Sequence, residues 1–315
     1  MSDTSPILPS SDVTLGGDQI DDSGRWPVLP PSDVASNLGG VSAASTGDVA
    51  KSSTGDILTL SGVTLNFGGL SAVSNVDMRL ASGELVGLIG PNGAGKTSIF
   101  NLLTGVYPPT SGKIDFTRDA KTYNLGGMRP YSICWAGIGR TFQNIRLFRA
   151  LPAIDNVMIA LQHNRPYSLF DAFLHTPKQL RVEKQIRDES LELLRIMGLE
   201  DKADELAQNL PYGEQRRLEI ARAMATKPVL LLLDEPAAGM NPAETAELTQ
   251  LIGWLRSEFD LTILLIEHDM SLVMHICERI YVLDHGLVIA SGTPAEVQHN
   301  AAVIEAYLGE EVANA

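Results

Sequence analysis

Eight consecutive residues, Gly90-Pro91-Asn92-Gly93-Ala94-Gly95-Lys96-Thr97, carry the strongest chemical signal in the 315-residue chain. They satisfy G-x-x-x-x-G-K-[ST], a pattern whose parts have separate physical jobs. The glycines let successive backbone N–H groups turn inward around anionic oxygens, and a following helix aims its positive end at them. Lys96 supplies a compact charge for β- and γ-phosphates, and Thr97 offers a hydroxyl to Mg²⁺. Residues Asn92, Gly93, Ala94, Gly95, Lys96, Thr97 and Ser98 therefore read as a phosphate cradle.

A second constellation is the apolar run Val229–Leu233 followed by Asp234-Glu235-Pro236. The run presents two carboxylates at the C-terminal end of a buried strand, where α/β sheets keep their ligands. Asp234 is suited to the Mg²⁺ shell through water, and Glu235 to orienting or deprotonating the water that attacks the γ-phosphate. An acidic strand-to-loop turn is the competing reading, and the position of the run downstream of the P-loop makes it the minor one. Just upstream, Leu210-Pro211-Tyr212-Gly213-Glu214-Gln215 opens a helix, whose first amides form another anion site.

The elements that must position these residues are legible from periodicity. Ile57–Leu60 and Val63–Phe67 alternate as half-buried strands, and Glu84–Gly90 is a buried strand running into the glycine-rich turn. Ser98–Thr104 continues as a helix, Leu180–Met197 is amphipathic, and Leu218–Ala225 repeats at helical spacing. Strands at Val229–Leu233, Leu261–Ile266 and Arg279–Leu283 then alternate with helices at Ala243–Phe259 and Met270–Cys277. Such alternation predicts an α/β fold with a parallel sheet.

Residues 1–56 differ. They contain eight aspartates against Arg25 and Lys51 and are dominated by Gly, Ser, Thr, Pro and Asp, so they read as a disordered acidic extension. The net charge of −14 argues against nucleic acid as a partner. Two cysteines, Cys134 and Cys277, form neither a disulfide framework nor a zinc site and read as inert core thiols; His275 reads as a solvated helix residue. Arg216, Arg217 and Arg222 share one helix and read as solvated or paired. No secretory signal is visible and no apolar run approaches the roughly 20 residues of a membrane span. The chain is expected to be cytosolic, with any membrane role peripheral.

Together these elements resemble the nucleotide-binding subunits of ATP-binding cassette (ABC) transporters, over about residues 57–310. The resemblance implies a P-loop NTPase (RecA-like) core with an antiparallel β subdomain and an inserted helical subdomain at about 144–225. It makes Gln143, in Arg140-Thr141-Phe142-Gln143-Asn144, the Q-loop glutamine that ligands Mg²⁺, and His268 the switch histidine at the γ-phosphate. Phe67 looks like the aromatic that stacks on adenine, and Leu210–Glu214 falls where the signature L-S-G-G-Q lies, so that Tyr212, Gly213 and Glu214 face a partner subunit's ATP. Pro211 replaces the signature serine and Tyr212 its first glycine; the D-loop reads Ala238-Gly239-Met240-Asn241, with Asn241 a weaker link between subunits.

Those departures, with Arg140–Phe148, Ala237–Pro242 and the tail Val303–Gly309, closely resemble the ATPase subunits of Liv-type branched-chain amino acid importers. The resemblance implies ATP and Mg²⁺, pairing with a second copy or a sister ATPase, two integral-membrane permease subunits, and a substrate-binding protein acting indirectly. Related subunits serve urea uptake or lipopolysaccharide export. A P-loop small-molecule kinase or a soluble, non-transport ABC regulator are the competing readings.

Overall fold

The structure, a computed structural model, describes residues 55–162 and 177–313. The acidic extension up to residue 54 and part of the predicted helical subdomain lie outside the described residues.

The chain opens with β1 (Asp56–Phe67) and β2 (Leu70–Ala81), an antiparallel pair. The two short strands predicted at 57–60 and 63–67 are one strand, with a register shift between Leu60 and Val63. There Gly62 adopts φ 56° and donates its N–H to Asp77 Oδ1 at 2.8 Å. The bulge consumes the extra residue, so the buried face resumes with Val63 and Leu65. β2 has no clean alternation in sequence because Asn75, at φ 48°, breaks the period between Val73 and Val76.

β3 (Leu85–Ile89) leads into α1 (Lys96–Leu103), followed by β4 (Ser111–Arg118) and β5 (Lys121–Asn124). Next come α2 (Pro130–Ala136), β6 (Ile138–Arg140), α3 (Ala153–Gln162), α4 (Pro177–Ile196) and α5 (Tyr212–Ala225). β7 (Leu230–Asp234), α6 (Pro242–Glu258), β8 (Thr262–Ile266), α7 (Met270–Ile276), β9 (Arg279–Asp284) and β10 (Leu287–Gly292) complete the core. Helices α8 (Pro294–Gln298) and α9 (Ala301–Ala313) follow.

Two sheets result. β2-β1-β4-β5 is antiparallel, and the six-stranded sheet has the order β10-β9-β3-β8-β7-β6, parallel except for β10. Every residue of β3, β7 and β8 is buried, which is why they read as continuous apolar runs. Alternation divides each run between two cores. Leu231, Leu233, Ile263 and Leu265 face the helical side with α3, α4 and α5, while Leu230, Leu232, Leu264 and Ile266 face α1 and the antiparallel sheet. This is the α/β architecture predicted, with a β subdomain on one side and helices on the other. The parallel order also delivers the ends of β6, β7, β8 and β3, four neighbouring strands, to one edge of the sheet.

Cys277 is buried and its Sγ lies 3.1 Å from an ideal Cβ placed at Gly87, so it packs directly against β3. Cys134 is half-buried in a cleft wall rather than in the core as predicted. His275 is exposed, as predicted. Burial pushes the Cys277 thiol up to about 12. At pH 8 such a thiol is thiolate in about one molecule in ten thousand. Burial raises the Cys134 thiol as well, but Cys134 is only half-buried, so native protein treated with a maleimide at pH 8 should label faster at Cys134 than at Cys277, which labels fully only in urea; peptide mass spectrometry reads both sites.

Candidate active site

The glycine-rich turn between β3 and α1 is shaped by backbone that only glycine tolerates. Gly90 has φ 147°, and a Cβ there would stand 2.0 Å from Leu283 O. Gly95 has φ 105°, with a Cβ 2.6 Å from Ala72 O. Gly93, at φ 78°, faces open space. Helix α1 starts on Gly95 with no side-chain cap and no acidic residue in its first turn. Its first amides thus have no protein side chain to satisfy them, a fit for an anion. Lys96 is buried and donates from Nζ to Gly90 O at 2.7 Å and Pro91 O at 2.9 Å, so its charge is held over the turn.

A cleft of about 280 Å³ is lined by Asn92, Gly93, Ala94, Gly95, Lys96, Thr97, Ser98, Gln143, Glu235 and His268. Residues from the ends of β3, β6, β7 and β8, spread over more than 170 positions, meet there. Glu235 is its centre. Its Oε1 lies 2.8 Å from His268 Nε2, and its Oε2 accepts from Gln143 Nε2 at 2.9 Å. Its backbone sits at φ 48°, a left-handed conformation rare outside glycine, and its N–H donates to Ile266 O at 2.8 Å. His268 is presented just before α7, whose N-cap Asp269 accepts from Ser271 N and Leu272 N.

Asp234 lies behind the cleft and is buried. Arg140, at the end of β6, donates from Nη2 to Asp234 Oδ2 at 2.9 Å and from Nη1 to Asn101 Oδ1 and Thr104 Oγ1 of α1. Its guanidinium rests against the rings of Phe100 and Phe142. Burial pushes the Asp234 carboxyl up and the Arg140 guanidinium down, and their contact opposes both shifts. Asp234 Oδ1 is buried without a hydrogen-bond partner among the described residues. An orphaned carboxylate oxygen beside a phosphate cradle fits a water of a Mg²⁺ shell.

The remaining predicted residues are elsewhere. Phe67 is exposed at the end of β1 and meets Tyr107 edge to face at 5.0 Å between ring centroids. Tyr212, Gly213 and Glu214 open α5 outside this cleft. Tyr212 is exposed, Gly213 is buried near Glu244, and Glu214 forms an ion pair with Lys202. A Cβ at Gly239 would come within 3.4 Å of the Tyr212 ring, so the residue replacing a signature glycine packs on the D-loop of its own chain. Asn241 accepts from the amides of Ala243 and Glu244 and caps α6.

Three charged residues escaped the reading of the sequence. Arg140 and Glu267 are two. Buried Glu267 accepts from Ala237 N at 2.7 Å and His268 N at 3.1 Å, joining the two loops; burial pushes its carboxyl up, and these amides pull it back. Glu219 is a third, and Arg216, read as solvated or paired, proves to be paired with it at a depth not foreseen, fully buried. Spaced i, i+3, they lie on the face of Gly213, Ile220 and Ala223, all buried, and that register was the available signal. Arg217 and Arg222 do remain near solvent or paired, with Glu247 at 3.8 Å and with Arg146 O respectively.

A mainly parallel sheet with a P-loop after β3 and a Walker-type acidic pair at the end of β7 defines a P-loop NTPase core. The ABC transporter family profile matches residues 73–238, and that of the branched-chain amino acid ATP-binding cassette transporters matches residues 288–313. The chain is 49% identical over 254 residues to the high-affinity branched-chain amino acid transport ATP-binding protein LivG of Salmonella typhimurium, covering 81% of this chain and 98% of that protein. With the lipopolysaccharide export system ATP-binding protein LptB of Escherichia coli the identity over the same length is 34%. A crystal structure of the ADP conformation of an ATP-binding cassette of an ABC transporter superposes with a TM-score of 0.69, at 26% identity, covering 82% of this chain and all of that one. The chain belongs to the ABC transporter family of ATP-binding proteins.

The glycines separate two kinds of strain. Gly95→Ala forces a Cβ into backbone and should lower the melting temperature and abolish binding of a fluorescent ATP analogue. Gly93→Ala meets only left-handed strain of about 1–2 kcal/mol. It should melt near wild type and bind within about tenfold. Calorimetry and a fluorescence titration read both.

Proposed function

We propose that this chain is the ATP-hydrolysing motor subunit of an ABC importer for branched-chain, hydrophobic amino acids. The observation that carries the reading is Glu235, both of whose oxygens are engaged by Gln143 and His268 directly over the phosphate cradle. The substrate class is supported by similarity to LivG, and the lower identity to LptB favours amino acid import over lipopolysaccharide export.

Lys96 and the amides of residues 93–98 bind the β- and γ-phosphates, and Phe67 stacks on adenine. Thr97, Gln143 and, through water, Asp234 would hold Mg²⁺, which neutralises charge on the phosphoryl oxygens when bound. Glu235 orients the attacking water and accepts its proton; His268 steadies Glu235 and the γ-phosphate. The exposure of Tyr212 supports contact of the Tyr212–Glu214 turn with ATP held by a second copy or a sister ATPase. Pro211 lacks both hydroxyl and N–H, so the first amides of α5 supply the donors there.

A separate cleft of about 380 Å³, lined by Ile133, Phe142, Arg146 and Arg222 among others, adjoins the Q-loop and suits docking of the membrane permease subunits. The amino acid itself is handled by the permeases and a substrate-binding protein. Among the described residues no helix is long and apolar enough to cross a membrane, in keeping with a peripheral subunit on the inner face. The ATPase domain, read from sequence as 57–315 after an extension of residues 1–56, begins one residue earlier, with Asp56 in β1.

Removing the proposed base while keeping its shape isolates its role. Glu235→Gln should lower turnover by about 10²–10⁴-fold with ATP affinity preserved; phosphate release at the wild-type rate would refute the assignment. Cells lacking the gene should lose uptake of radiolabelled leucine but not of urea; the reverse would overturn the substrate class.

A further inference from the structure

The signature helix, the Q-loop and the residue after Asp234 are tied together by one buried ion pair. Arg216 has no solvent exposure and donates from Nη1 to Glu219 Oε2 at 2.9 Å, one turn along α5. The same guanidinium donates to Phe142 O at 2.6 Å, Gln143 O at 3.0 Å and Glu235 O at 3.2 Å, with Tyr212 Oη at 3.4 Å. Glu219 closes the other side: its Oε1 accepts from Phe142 N at 3.3 Å and Arg146 N at 3.2 Å. Segment 142–146 is therefore gripped through its carbonyls by Arg216 and through its amides by Glu219. Gln143 and Glu235 are joined twice, by their carbonyls on Arg216 Nη2 and by their side chains to each other.

Such an arrangement is poorly explained by stability. An apolar pair of similar volume serves a helix–core contact as well as a buried ion pair or better, because it avoids desolvating two charges. What an apolar pair cannot do is hold backbone groups of two further segments, 142–146 and Glu235, at fixed positions against α5, which needs the planar fork of an arginine and a carboxylate with two free edges. Glu235 also needs holding, because its left-handed backbone is strained. We propose that Arg216 and Glu219 are positioning residues for ATP hydrolysis: they fix the Q-loop and Glu235 to the signature helix, so that a displacement of α5 or of the Q-loop carries the base with it. The inference rests on the reading of Glu235 as the base.

The test uses the full chain and compares wild type with Arg216→Met/Glu219→Leu, Arg216→Lys and Gln143→Ala. The apolar double variant leaves the backbone groups of segment 142–146 and Glu235 unsatisfied, so it should melt cooperatively at a lowered temperature yet, well below that temperature, bind a fluorescent ATP analogue within about threefold, while kcat falls by at least about thirtyfold. Arg216→Lys, which keeps the charge and loses the fork, should also lose kcat with KM little changed. Gln143→Ala keeps the carbonyl on Arg216 and removes only the side-chain bond to Glu235; it should cost less in the double-variant background than in wild type, because Glu235 is there no longer held in register with the Q-loop for that bond to align. A folded double variant with kcat within threefold of wild type would overturn the proposal and leave the pair a packing element. If that variant does not fold, Arg216→Lys decides on the same terms. Failure of the underlying reading is separable: Glu235→Gln that still releases phosphate sinks the base, whereas an inactive Glu235→Gln beside a fully active double variant sinks only the role of the ion pair.

Discussion

Burying a carboxylate at the end of a strand that has no access to water is the constraint on which this site depends. Asp234 ends β7, all five of whose residues are buried, and an unpaired charge there would be driven to neutrality. Arg140 offsets part of that penalty at one oxygen, and the other is left buried without a hydrogen-bond partner among the described residues. Arg140 is itself held by Asn101 and Thr104 of α1 and by two aromatic rings, so the acidic pair, the phosphate helix and the Q-loop strand brace one another. β6 must therefore lie beside β7. That adjacency places Gln143, three residues beyond Arg140, next to Glu235.

Buried carboxylates also hold two further groups of loop amides near the phosphate edge. Glu267 takes the amides of Ala237 and His268, and Glu219 those of Phe142 and Arg146. Each buried carboxylate satisfies backbone donors that no sheet or helix ladder can reach, which keeps irregular loops rigid inside a low-dielectric interior. The site is then a set of loops fixed by side-chain charges, mounted on a sheet fixed by apolar alternation.

The departures from the usual cassette pattern acquire physical meaning in this frame. Tyr212, where glycine is common, lies against Gly239, and Asn241 is an N-cap with Glu244 completing a reciprocal box. Both stiffen junctions within one chain, between the signature turn, the D-loop and α6.

The phosphate cradle, the acidic pair and the runs of β3, β7 and β8 were legible in the sequence because each is contiguous: glycine spacing, a charge after an apolar run, and burial on both faces all act over fewer than ten residues. Gln143, His268 and the signature turn were reached through family resemblance. β2 was hidden by its bulge at Asn75, and Arg140, Glu219, Glu267 and the depth of Arg216 had no local signature. A charged side chain is stable out of water only when distant partners surround it, and those partners come from other strands and helices. The chain itself thus set which groups meet the phosphates, since backbone dihedrals and short-range patterning are local properties. Folding alone decided which charges could be buried to hold those groups in place, since desolvation is offset only by contacts that do not exist until the sheet has assembled.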